Sequence, residues 1–163
     1  MKIQQELRGK FIDLIYQHHL DDDSIVIRAK TLTPDEAIGN PEDKDYPIIT
    51  GRERIVQAEF KGACGHAFTD MFGNFNGKLL DVATMDLNNN YRRALYISSL
   101  NAVMRHLGLI DQTTHCKDEE PKMCSRKLAE YVMAKYGHPK IAMVGLQPRI
   151  VEALSKNSEV RVT

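Results

Sequence analysis

Apolar positions recur with a helical period over residues 3–19, where Ile3, Leu7, Phe11, Leu14 and Ile15 fall on one side. Asp21, Asp22, Asp23 and Ser24 interrupt that rhythm, and the His18–His19 pair suits a helix end. The period then drops to two. Ile25, Ile27 and Ala29 alternate with Val26, Arg28 and Lys30, which predicts a strand with one wetter face. Residues 33–47, TPDEAIGNPEDKDYP, hold three prolines and a glycine and read as an irregular connection. A second strand is expected over Glu53–Phe60, with Val56, Ala58 and Phe60 facing one way and Glu53, Gln57 and Glu59 the other. A third, over Gly65–Thr69, is expected to pair with it as a hairpin. FGNFNG at 72–77 reads as a loop, and the stretch that follows fits neither period.

Asn88 or Asn89 is placed to cap a helix whose stripe is Leu95, Ile97, Leu100, Val103, Met104 and Leu107, with Gly108 as its stop. Another helix is expected from Pro121 to Gly137, with Leu128, Tyr131 and Val132 on its inner side. Lys140–Gly145 is a short, almost wholly apolar run that predicts a strand covered on both faces. Gln147–Pro148 opens a short helix with Ile150, Val151 and Leu154, and Ser158–Thr163 reads as a strand. Strand, turn, helix, strand is the opening of a parallel α/β layer. The predicted class is therefore α/β, with an α+β first part over residues 1–112 and a linker helix plus an incomplete α/β portion over 113–163. Residues 146–163 are too few to complete a doubly wound sheet. The chain reads as a fragment of a longer one, or as one whose exposed sheet edge is completed by a second copy in a homo-oligomer.

Lysine plus arginine and aspartate plus glutamate each number 22 in 163 residues, so the chain lacks the basic excess of a phosphate-gripping protein and no nucleic-acid partner is expected. No apolar run reaches membrane-spanning length, so no membrane partner is expected either. The start, MKIQQELRGKF, lacks the apolar core of a signal peptide, which predicts a cytoplasmic address. Three cysteines, Cys64, Cys116 and Cys124, show no disulfide-framework rhythm and are expected as thiols.

Side-chain chemistry concentrates in THCKDEEPKMC and the residue after it. His115, Cys116, Asp118, Glu119, Glu120 and Cys124 supply nitrogen, sulfur and oxygen donors. Soft donors select zinc, copper or nickel. The cysteines, however, lie eight apart, outside the two-to-four spacing of structural zinc sites. Two readings stay open: a site with His115, Cys116, Glu119 and Cys124 as donors, or acids that favour a helix start beside thiols that pack on its face. Cys64 and His66, two apart on a strand, face one side and present the same choice. Gly145, Gln147, Pro148 and Arg149 occupy the turn where an α/β layer meets its ligand. With one glycine and a proline this is no GxGxxG turn, so a dinucleotide is disfavoured; a small anion at Arg149 and a simple proline-started helix both remain. Arg52, Glu53 and Arg54 read as a solvated strand edge, Thr69 and Asp70 as a turn, and Arg92 and Arg93 as partners of surface acids. No GxSxG elbow, P-loop or HExxH is present.

Three blocks, GRERIVQAEFKGACGHAFTD (51–70), NNNYRRALYISSLNAVMRHLGLID (88–111) and THCKDEEPKMC with the later KIAMVGLQP, resemble the DUF364 family, described as a heavy-metal chelation domain, with a DUF4213-type amino-terminal portion. The resemblance rests on Glu53, Phe60, Gly62, Gly65 and Phe68, then Asn89, Arg93, Asn101 and His106, then His115, Cys116, Asp118, Glu119, Pro121 and Cys124. It implies an enolase-N-terminal-like small antiparallel sheet with helices, followed by a truncated Rossmann-like α/β domain, with a pocket between them. The expected function is binding of a heavy metal or small ligand at that junction. Two alternatives stand beside it: a metal-assisted enzyme acting on a small acidic metabolite, and a non-catalytic structural or assembly module.

Overall fold

The first helical stripe folds as α1, Lys2–Gln17, and the alternating run after it as β1, Val26–Thr31. Both belong to a computed structural model that describes residues 2–22, 24 and 26–163; the expectations for Asp23 and Ile25 lie outside the described residues. The architecture is mixed α/β, with one antiparallel and one parallel sheet. The chain divides into two units, Met1–Ala37 with Pro47–His115, and Ile38–Tyr46 with Cys116–Thr163. The division therefore falls between His115 and Cys116, and nine residues of the expected first part, 38–46, belong to the second unit.

In the first unit, β1 is followed by the short helices α2 (Pro34–Ile38, its last residue in the other unit) and α3 (Pro47–Thr50), which replace part of the expected irregular connection. Next come β2 (Arg54–Phe60), β3 (Ala63–Thr69), β4 (Phe75–Lys78), α4 (Leu79–Thr84) and α5 (Asn90–His106). The sheet order is β3-β2-β1-β4, antiparallel throughout, with Gln57 opposite His66 and Ile27 opposite Gly77. FGNFNG is thus not all loop; β2 is an inner strand, and Arg52 and Glu53 just ahead of it are exposed.

Strand alternation decides which side chains meet the helices. Ile27, Val56, Ala58 and Phe60 are buried together with Phe11 and Ile15 of α1, Leu79 and Val82 of α4, and Leu95, Tyr96 and Val103 of α5. Each of the valine, leucine, isoleucine and phenylalanine side chains contributes about 1.5–3 kcal/mol on burial. Phe11 and Tyr96 meet edge to face at 5.3 Å, and the Tyr96 hydroxyl donates to the Leu7 carbonyl. Asn89 caps α5 by accepting from the Arg92 N–H at 2.8 Å. Ile97, expected inside, is 38% exposed. α5 lies against β3 where Gly65 sits: a Cβ there would fall 2.3 Å from the Ser98 carbonyl oxygen and 2.4 Å from the Ala102 nitrogen.

In the second unit, α6 (Glu120–Tyr136) packs on α7 (Pro148–Ser155), which links the parallel strands β5 (Lys140–Met143) and β6 (Glu159–Val162). The core cluster is small: Ala129, Ala153 and Leu154, with Val132, Ile141, Met143, Ile150 and Val160 partly covered. Two expectations are corrected here. The inner side of α6 carries Ser125 and Ala129, whereas Leu128 and Tyr131 are exposed, because small residues allow the close approach of α7. β5 is covered on one face, since Ile141 and Met143 turn toward that cluster while Lys140 and Ala142 face water.

Candidate functional site

The turn ahead of α6 is built by backbone. Asp118 takes a positive φ of 51°, its N–H donates to the Ile38 carbonyl at 2.8 Å, and its Oδ1 accepts from the Asn40 N–H at 2.8 Å. Gly39 makes room for this: a Cβ there would lie 2.3 Å from that same oxygen. Glu119 Oε1 accepts from the Glu42 N–H at 3.2 Å, and Glu120 Oε2 from the Lys117 N–H at 2.9 Å. The three acids therefore fasten segment 38–46 and the helix start.

This fold brings Cys124, one turn into α6, beside Cys116 with 3.6 Å between the sulfurs. A disulfide would need about 2.05 Å, so both are thiols. Two thiolates on a tetrahedral zinc, each at about 2.3 Å, are about 3.8 Å apart. The observed spacing fits two corners of such a site. Burial, then the hydrogen bond with Cys124, pushes the Cys116 thiol up to about 11. Cys124 is exposed and opens the pair to solvent. Among the described residues no group of three or more histidine, cysteine or acidic side chains converges. Glu119 is held by the Glu42 N–H and lies 3.8 Å from the Lys122 ammonium, away from a donor role.

His115 belongs to the first unit, where its N–H donates to His66 Nδ1 at 2.9 Å and its ring meets Phe68 edge to face. Because His66 Nδ1 accepts, the proton of a neutral ring sits on Nε2 and is donated to Gln57 Oε1 at 2.9 Å. Both ring nitrogens are engaged, so His66 does not share an ion with Cys64. Around it, the His66 N–H donates to the Thr113 carbonyl, and the Thr113 hydroxyl donates to the Cys64 carbonyl and accepts from Arg105. Burial pushes the Cys64 thiol up.

Around the β5–α7 turn, the Gly145 N–H donates to the Thr163 carbonyl, Gln147 caps α7 through its carbonyl, and Pro148 takes the first helical position. The Arg149 guanidinium is ion-paired with Asp43 at 3.3 Å, Asp45 at 2.5 Å and Glu152 at 3.0 Å, and lies over the Tyr46 ring. Lys122 meets Glu42 and Asp43 from α6. Arg149, for which a small anion was one of two open readings, thus meets carboxylates of its own unit.

Sequence reasoning missed a cleft of about 500 Å³ in the first unit, lined by Glu53, Phe68, Asp70, Asn90, Arg93 and Ile97 among others. Glu53 lies just ahead of β2, Phe68 is in β3 with Asp70 just past its end, and the others are in α5, so no spacing along the chain relates them; the resemblance had marked Glu53, Phe68 and Arg93. Among the described residues Arg93 does not bridge surface acids but donates to the Leu87 carbonyl and to Asn90 Oδ1.

No family model, curated protein or solved structure matches the chain.

Proposed function

We propose that the protein binds a soft metal ion through Cys116 and Cys124. The 3.6 Å sulfur–sulfur separation carries this reading, being close to the edge of a tetrahedral thiolate site while the thiols remain reduced. Two protein sulfurs leave further positions open to an exchangeable ligand, which suits chelation and transfer rather than a closed structural site. Burial of Cys116 keeps it protonated at neutral pH, so binding releases a proton and affinity rises with pH. The reading agrees with the resemblance to the DUF364 family. With it we infer an enolase-N-terminal-like first unit and a Rossmann-like opening at β5–α7–β6, supported by the four-stranded antiparallel sheet with helices and by the parallel crossover.

The test is metal analysis and cadmium titration of reduced, untagged protein, followed through its thiolate charge-transfer absorption. One ion per chain is expected, lost in Cys116→Ser and in Cys124→Ser and retained in Glu119→Gln. Reduced protein that gains no such band on titration overturns the proposal.

A further inference from the structure

The first-unit cleft carries charges of both signs that no ion pair among the described residues answers. Arg93 is half-buried, and its guanidinium is oriented by two neutral oxygens: Nη1 donates to the Leu87 carbonyl at 2.8 Å and Nη2 to Asn90 Oδ1. Asn90 Nδ2 in turn donates to Asp70 Oδ1 at 2.6 Å. This relay fixes the direction of the cation without neutralising it. Among the described residues neither Arg93 nor Glu53 enters an ion pair. Between these groups the cleft exposes carbon: Phe68 is 52% and Ile97 38% accessible. Exposed apolar side chains beside oriented, unpaired charges are the ordinary make-up of a small-molecule site, and about 500 Å³ falls in the usual size range.

We infer that this cleft binds a zwitterion of the amino-acid class with a bulky apolar side chain. The ligand carboxylate meets Arg93, its ammonium meets Glu53 with Asp70 alongside, and its side chain lies on Phe68 and Ile97. A ligand with one charge would leave Glu53 or Arg93 unanswered, so both charges are required for full affinity.

The probes are L-phenylalanine, phenethylamine and 3-phenylpropionate, titrated into the full chain by calorimetry or by nuclear magnetic resonance shifts. Phenylalanine is expected to bind at least about tenfold more tightly than either singly charged analogue. Arg93→Met should remove its advantage over phenethylamine, and Glu53→Gln its advantage over 3-phenylpropionate. Glu53 is exposed and makes no side-chain bond within the fold among the described residues, so the second variant stays informative should Arg93→Met fail to fold. No phenylalanine binding at about 10 mM, or discrimination unchanged in Glu53→Gln, overturns the inference. Thiol substitutions at Cys116 and Cys124 leave this binding unchanged, which separates its outcome from that of metal binding.

Discussion

The two units exclude water in different ways. The first buries Phe11, Ile15, Ile27, Phe60, Leu79, Leu95, Tyr96 and Val103 almost completely in one cluster. The second assembles its core cluster around two alanines and one leucine, and ties segment 38–46 to α6 and α7 through Lys122 and Arg149 with their carboxylates. Apolar burial is non-directional and is not screened by ions, whereas charges hold particular atoms in register and weaken as ions screen them. The turn that carries Cys116 is held in one geometry by hydrogen-bonded acids instead of by bulk.

Truncation of a large core side chain should show the contrast most strongly. Phe60→Ala is expected to cost about 3–5 kcal/mol in denaturant unfolding, and Leu154→Ala about 2 kcal/mol, because the neighbours of Leu154 are already half in water. Equal losses would erase the distinction. Gly65→Ala comes next at about 2–3 kcal/mol, since its Cβ must push β3 off the α5 backbone; hydrogen exchange should locate the loosening at those two elements. Arg149→Met leaves Asp43 and Asp45 without their guanidinium. A cost of about 1–2 kcal/mol is expected, discounted for the exposed Asp45, together with a smaller response of α6 and α7 exchange to added salt.

Proton linkage gives the smallest effect and runs in opposite directions in the two units. The hydrogen bond from Lys30, with the Thr33 N–H, holds the Glu36 carboxyl at about 2, so its contribution is present above the ordinary value of 4.5 and fades as pH falls toward 2. Cys116, raised from 9.0 to about 11, contributes fully below 9.0 and loses that contribution as pH climbs through 11. Acid unfolding of Glu36→Gln and alkaline unfolding of Cys116→Ser, each followed against the parent chain, should lose these opposite dependences.

Patterning made the first unit largely legible. The alternation of Val56, Ala58 and Phe60, the α1 stripe from Leu7 to Ile15 and the Asn89 cap all survive, because each depends on neighbours a few residues away, whereas Ile3 at the start of that stripe is 80% exposed. β4 was hidden because Phe75–Lys78 is short and carries Asn and Gly; its strand character comes from pairing with β1. Tyr96 was hidden because its ring is buried while its hydroxyl reaches a carbonyl 89 residues back. In α6 the stripe rule favoured large side chains, but the close helix contact selected Ser125 and Ala129. Asp43 and Asp45 looked like connector polarity because Arg149, the charge they answer, lies more than a hundred residues on. The thiol pair was visible as residues but not as geometry, since the positive φ at Asp118 is what folds the turn back.

The hydrogen bonds of Thr113 along β3 have a further consequence. Because the Thr113 carbonyl and hydroxyl occupy the His66 N–H and the Cys64 carbonyl, two outward groups in the middle of that strand are already taken by the chain's own backbone and side chain. A foreign polypeptide arriving on this side finds the middle of the ladder occupied, which hinders recruitment of a Gly- and Ala-containing strand into amyloid-like stacks.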